Sequence, residues 1–62
     1  MQELLITYDS GATQRSWVEA VLSWREWSQR EADKIRDVAA GQLRRFSTTD
    51  AGGQPCDIER RP

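Results

Sequence analysis

The hydrophobic pattern begins with a short apolar stretch over residues 3–8. This stretch is too short for a helix and stops at an Asp-Ser-Gly cluster that favours a turn, so the pattern predicts a β-strand. Because side chains alternate along a strand, Leu4, Ile6 and Tyr8 share one face. Leu5 lies on the other face, and apolar residues on both faces indicate a central strand or an edge strand that meets a partner.

A helical period follows over residues 14–40, a segment that contains neither glycine nor proline. With 3.6 residues per turn, the apolar side chains of this segment collect on one face. The members of this apolar stripe are Trp17, Ala20, Val21, Trp24, Trp27, Ala32, Ile35, Val38 and Ala39. Ser16 and Glu19 have the spacing of an N-terminal capping box, and Gly41 is the residue type that closes many helices. The pattern therefore predicts one long amphipathic helix.

Two polar residues, Ser28 and Glu31, interrupt this stripe near its middle. They fit a second capping box, with Trp27 and Ala32 at the positions of a hydrophobic staple. A straight helix of about 25 residues would be about 38 Å long, whereas a six-residue strand spans about 20 Å. The alternatives are therefore a helix that bends or breaks at Ser28, or a helix whose second half packs on another chain.

The pattern weakens after Gly41. Residues 42–48 fit a strand with Phe46 pointing inward, but they also continue the helical phase. Residues 50–55 have the composition of a loop, and residues 56–60 alternate as a short strand would.

Together these elements predict an α+β domain of β-α-β-β order, with one long helix on a short, mainly antiparallel sheet. Its core comprises residues 1–49, with a strand over 3–8, a helix over 14–40 and a strand over 42–48. Residues 50–62 form a loop that leads into either a short strand or a disordered tail.

Composition limits what this domain can do. A chain of 62 residues buries only about 60% of its unfolded surface, so its core is marginal. One cysteine and no histidine exclude an intrachain disulfide and a zinc site built from several such ligands. A Cys or Ser nucleophile would also lack the usual histidine base. We therefore expect no enzyme activity, no cofactor and no metal, and we expect another chain to supply part of the stability.

Charge limits the choice of partner. The 9 basic and 10 acidic residues give a net charge of −1, which lacks the basic excess of most nucleic-acid-binding proteins. Nucleic acid is therefore not the expected partner, and the candidate contacts for that alternative are Arg44, Arg45, Arg60 and Arg61. No apolar run approaches the about 20 residues of a membrane span, so we expect no membrane partner. The chain start lacks the features of a secretory signal, which favours a cytoplasmic location.

The tryptophans suggest where a partner would bind. Trp and Arg often dominate the energetics of interfaces, and Trp27 lies at the edge of the apolar stripe, close in sequence to Arg30. Val18 and Leu22 lie outside the stripe and provide a second contact. Trp24, nearer the stripe centre, is assigned to the core.

These features predict a small non-catalytic binding module that acts as an inhibitor or adaptor on a larger protein. Small proteins of phages and mobile elements often have such a role. One alternative is a structural homo-oligomer built on the long helix. The other is a nucleic-acid accessory protein that uses the arginine pairs.

Overall fold

A computed structural model describes residues 2–61, and it shows a four-stranded antiparallel sheet with two helices on one side. In chain order the elements are β1 (Glu3–Tyr8), β2 (Thr13–Trp17), α1 (Val18–Leu22), α2 (Gln29–Ala40), β3 (Arg45–Thr49) and β4 (Pro55–Arg60). The strands lie in the order β2-β1-β4-β3. The α+β class and the antiparallel sheet are confirmed. Met1 and Pro62, the outer limits of the predicted ranges, lie outside the described residues.

The long helix over residues 14–40 is wrong, because its first part is the strand β2. A tight turn folds β2 back on β1: the Gly11 N–H donates to the Tyr8 carbonyl, and the Tyr8 N–H donates to the Ala12 carbonyl, both over 2.9 Å. Gly11 has a φ of 92°, a backbone conformation that glycine adopts without steric cost. The element order is therefore β-β-α-α-β-β instead of β-α-β-β.

The predicted start of the helix is also wrong. Ser16 lies within β2, paired with Leu4. The N-terminal cap of α1 is Trp17, whose side chain makes no capping hydrogen bond. The supposed capping box of Ser16 and Glu19 is therefore absent, because the chain is still extended at Ser16.

The break at Ser28, the alternative to a continuous helix, is what the structure shows. The Glu31 N–H donates to the Ser28 hydroxyl over 3.2 Å, and the Ser28 N–H donates to the Glu31 carboxylate over 3.1 Å. These two bonds satisfy N–H groups at the start of α2 that have no partner within the helix. Gly41 ends α2 with a φ of 83°. The helix therefore has 12 residues and fits on the sheet.

The core lies between the helices and one face of the sheet. Its seven buried residues are Leu4, Ile6, Val21, Ile35, Val38, Cys56 and Ile58. They come from the two central strands and from both helices, so the sheet and the helices bury each other's apolar sides. Within residues 2–61, neither helix has the length and apolar content that crossing a bilayer requires.

Candidate binding surface on the sheet

The second face of the sheet, which we term the open face, carries no helix in the described part of the chain. Strand register and side-chain alternation place most of its residues in three rows across the strands. The rows are Trp17, Glu3 and Arg61; Arg15, Leu5, Glu59 and Arg45; and Thr13, Thr7, Asp57 and Ser47. The described part of the fold leaves this face of the sheet uncovered.

Trp17 is the most unusual residue on the open face. Its relative exposure is 47%, and no other large hydrophobic residue between 2 and 61 is classed as exposed. The prediction that Trp17 belongs to the buried stripe of a helix is wrong, because Trp17 lies on β2. The sequence does contain a signal for the strand: Thr13, Arg15 and Trp17 alternate directly after an Asp-Ser-Gly turn.

The charges of the open face are largely paired. The Arg61 guanidinium lies 3.2 Å from the Glu3 carboxylate, and the Arg45 guanidinium lies 3.5 Å from the Glu59 carboxylate. Arg15 differs, because it makes no ion pair with any residue in the range 2–61. Asp57, the third carboxylate of the face, accepts a hydrogen bond from the Ser47 hydroxyl. The face thus carries as many carboxylates as arginines, and Arg15 is the arginine that has no ion-pair partner among the described residues.

A shallow cavity lies next to this unpaired charge. It has a volume of about 390 Å³ and is lined by Leu5, Thr13, Arg15 and Arg61. Its lining thus combines one apolar side chain with two guanidinium groups. Such a site suits an anionic group attached to an apolar neighbour.

The edge of the sheet at β2 is bare. The hydrogen bond between Tyr8 and Ala12 fixes which residues of β2 point their backbone groups at β1. Since these groups alternate along an antiparallel pair, the N–H and C=O groups of Thr13 and Arg15 point outward. For these four groups the structure contains no hydrogen-bond partner within residues 2–61.

The opposite edge, at β3, is partly covered. Arg25 from the loop between the helices donates from Nε to the Thr49 carbonyl over 3.4 Å. It also contacts the hydroxyls of Thr48 and Thr49 at 3.3 and 3.4 Å. The two edges of the sheet are therefore not equivalent.

Trp27, the tryptophan predicted to bind a partner, is engaged within its own chain. Its indole N–H donates to the Val21 carbonyl over 3.1 Å, and the Arg25 guanidinium stacks 3.8 Å from its ring centre. The Trp24 ring lies 6.5 Å away, tilted by 36°. Both tryptophans are half-buried against the core.

The other three residues predicted for this contact lie in different elements. Val18 and Leu22, on α1, are half-buried and pack against the core. Arg30 is exposed in the first turn of α2. Of the four predicted contact residues, only Arg30 is therefore freely exposed.

The four arginines predicted as nucleic-acid contacts do not form one patch. Arg45 and Arg61 lie on the open face in ion pairs, whereas Arg60 points to the helix side, because it pairs with Leu4. Arg44 and Arg60 line a second cavity of about 490 Å³ at the end of α2. The arrangement divides the basic charge between two sides of the sheet.

Cys56, which carries the single thiol of the chain, and its cross-strand neighbour Tyr8 lie at the end of the sheet near Asp50. Burial raises the pKa of the Cys56 thiol, and the Asp50 and Asp57 carboxylates raise it further. Burial, and then the nearby Asp50 carboxylate, likewise raise the pKa of the Tyr8 phenol. Because the thiolate is the nucleophilic form, these shifts disfavour a catalytic cysteine. No group of three metal-ligating side chains occurs among the described residues.

Comparison with protein-family models, with curated proteins and with solved structures finds no match for this chain.

Proposed function

We propose that this chain is a small non-catalytic binding module that acts as an inhibitor or adaptor on a larger protein, with the open face as its contact surface. The observation that carries this proposal is the exposure of Trp17 on a sheet face without a helix. Tryptophan is enriched among the residues that dominate binding energy. Burial of a tryptophan would add much to so small a core, yet Trp17 stays exposed on the same face as Arg15, which has no ion-pair partner among the described residues.

The chemistry of the chain supports a binding role over catalysis. The sequence contains no histidine, and its one thiol is buried with a raised pKa. The two cavities are shallow and open on the surface, which suits macromolecular contacts better than enclosure of a small substrate.

The homo-oligomer alternative loses its physical basis in the form that is built on the long helix. It relied on the half of a long helix that would project beyond the sheet. The actual α2 directs Ile35 and Val38 into its own core, and both are fully buried. A self-association proposal would therefore need a different surface.

The proposal is tested by affinity capture from the organism that encodes the chain, with wild type compared with Trp17→Ala. We expect one dominant captured protein and about 30-fold weaker binding of it by Trp17→Ala, since loss of a hot-spot residue costs about 2 kcal/mol or more. Circular dichroism should show the same fold for both, because Trp17 lies outside the core.

Arg30→Glu is the control variant for Trp17→Ala, because it changes an exposed residue on the helix side of the sheet instead of the open face. If the interface includes the helix face predicted from Trp27, Arg30, Val18 and Leu22, this variant will lose the partner instead. Unchanged capture by Trp17→Ala would exclude the open face as the contact surface. Capture of mainly the chain itself would replace the proposal with self-association.

A further inference from the structure

The shape that fits the bare edge of β2 is an extended strand. Thr13 and Arg15 turn their N–H and C=O groups away from β1, as the register of the hairpin requires. An extended segment of another protein can pair with such groups through the hydrogen bonds that join strands within a sheet. The edge at β3 is less available, because Arg25 binds the Thr49 carbonyl there.

Arg15 determines the charge that this strand should carry. In an antiparallel pair, the residue directly opposite Arg15 would lie on the open face, with its Cβ about 5 Å away. Arg15 has no ion pair among the described residues, and Arg61 lines the same cavity. A carboxylate at the opposite position would therefore give Arg15 an ion-pair partner.

Trp17 determines the position of an apolar residue. It lies two residues beyond Arg15 on the same face of β2, so its partner lies two residues from the carboxylate in the added strand. Aromatic or β-branched residues are the favoured cross-strand partners of an aromatic side chain. The open face thus matches a segment in which acidic and apolar side chains alternate on one side.

We propose that β2 binds an extended acidic segment of a partner protein as a fifth strand, with a carboxylate facing Arg15 and an apolar side chain facing Trp17. This inference rests on the proposed binding function and names the chemistry of the partner. Single-stranded nucleic acid also carries negative charge. Glu3 and Glu59 lie on the same face, however, and the chain has a net charge of −1, which disfavours a polyanion.

The test is an NMR titration of the intact, isotope-labelled chain with the pentapeptide acetyl-Phe-Thr-Glu-Thr-Val-amide, up to about 5 mM, the range in which so short a strand binds. In the antiparallel register, Phe lies opposite Trp17 and Glu lies opposite Arg15. We expect shift changes centred on residues 13–17 and slower hydrogen exchange of the Thr13 and Arg15 amides. A peptide with an N-methylated Glu should bind about tenfold more weakly, because it loses a backbone donor.

A charge exchange tests the role of Arg15. Arg15→Glu should weaken binding of the Glu peptide about tenfold or more and should create binding of acetyl-Phe-Thr-Lys-Thr-Val-amide. Arg30→Glu, on α2, should leave the binding of both peptides as it is in wild type. Absence of shift changes at residues 13–17 with the Glu peptide overturns the inference, and so does stronger binding of a single-stranded oligouridylate to the same residues.

The two proposals fail separately. If the peptide does not bind but Trp17→Ala still loses the captured partner, the partner contacts the open face without adding a strand. If the peptide binds but Trp17→Ala captures the partner as wild type does, the strand site exists and the proposed function of the face is wrong.

Discussion

The Arg25 guanidinium lies 3.8 Å from the centre of the Trp27 ring, between the end of α1 and the edge of β3. Its Nη2 also lies 3.2 Å from the Glu31 carboxylate. A single side chain therefore links the interhelical loop, the first turn of α2 and the strand β3. This arrangement holds the interhelical loop against both α2 and β3 and partly covers one edge of the sheet.

Arg25→Ala should destabilise the fold by about 1–3 kcal/mol, because it removes hydrogen bonds made by a charged group and a cation–π contact. Urea denaturation followed by circular dichroism measures the change. Arg36→Ala is the matched control: its ion pair with Asp33, at 3.7 Å, is exposed on both sides, and such a pair contributes about 0–1 kcal/mol. Equal effects of the two substitutions would mean that Arg25 does not link these elements.

The capping box of α2 gives a second prediction. Ser28→Ala should cost about 1 kcal/mol, because the Glu31 N–H loses its acceptor at the start of the helix. Ser10→Ala is a suitable control, since this serine accepts only a long bond of 3.4 Å within an exposed turn. Urea denaturation gives the free energy of unfolding of both variants and thereby tests the contribution of the cap. A loss no larger for Ser28→Ala than for Ser10→Ala would contradict the role of the cap.

Glu31 should also make stability depend on pH. The backbone N–H of Ser28 and then the Arg25 guanidinium lower the pKa of its carboxyl below the ordinary value. A lowered folded pKa means that the stabilisation is complete above the unfolded pKa and is lost as pH falls through the folded pKa. Glu31→Gln should therefore be less stable than wild type at pH 7, and the two should converge in acid.

Urea titrations between neutral and acidic pH test this convergence. Glu26→Gln removes an exposed carboxylate from the same loop and should leave stability at pH 7 nearly unchanged. A difference between wild type and Glu31→Gln that stays constant on acidification would show that the carboxylate charge contributes nothing.

The break at Ser28 could be foreseen from the sequence because a capping box is a local pattern whose side chains and backbone lie within four residues. Likewise the strand over residues 3–8 and the closure at Gly41 depend on local composition. The prediction of a helix over residues 14–17 is wrong for a different reason. The polar and aromatic residues of this segment fit the period of a helix and the period of a strand equally well. The segment forms a strand because β2 pairs with β1, and this tertiary contact is not visible in the local pattern.

The candidate site was missed for the same reason. On a helix, Trp17 falls in phase with Val21 and Trp24 and belongs to the buried stripe. On a strand, Trp17 lies on the same side as Arg15, away from the core. A change of period at one segment thus moves a tryptophan from the core to the surface, which the composition of the chain does not reveal.

The turn that creates β2 gives a further prediction. Gly11→Ala should destabilise the chain by about 1–2 kcal/mol, because a Cβ is disfavoured at its φ of 92°. A Cβ there would have no atom within 4 Å, so the cost comes from the backbone alone. Gly52→Ala, outside the positive-φ region, should instead stabilise by about 0.4–1 kcal/mol through the unfolded state. The same sign for both would contradict this account of the hairpin.

Cys56 should react with thiol reagents only when the sheet opens. Its relative exposure is 3%, and burial together with nearby carboxylates raises the pKa of its thiol. Native alkylation by iodoacetamide should be at least about 100-fold slower than in urea, which corresponds to an opening free energy of about 2.8 kcal/mol. Ser10→Cys in a Cys56→Ala background is the exposed control and should label at similar rates with and without urea. Because opening must separate the helices from β4, Arg25→Ala should accelerate labelling of Cys56, and an unchanged rate would mean that Cys56 is reached through a local motion instead.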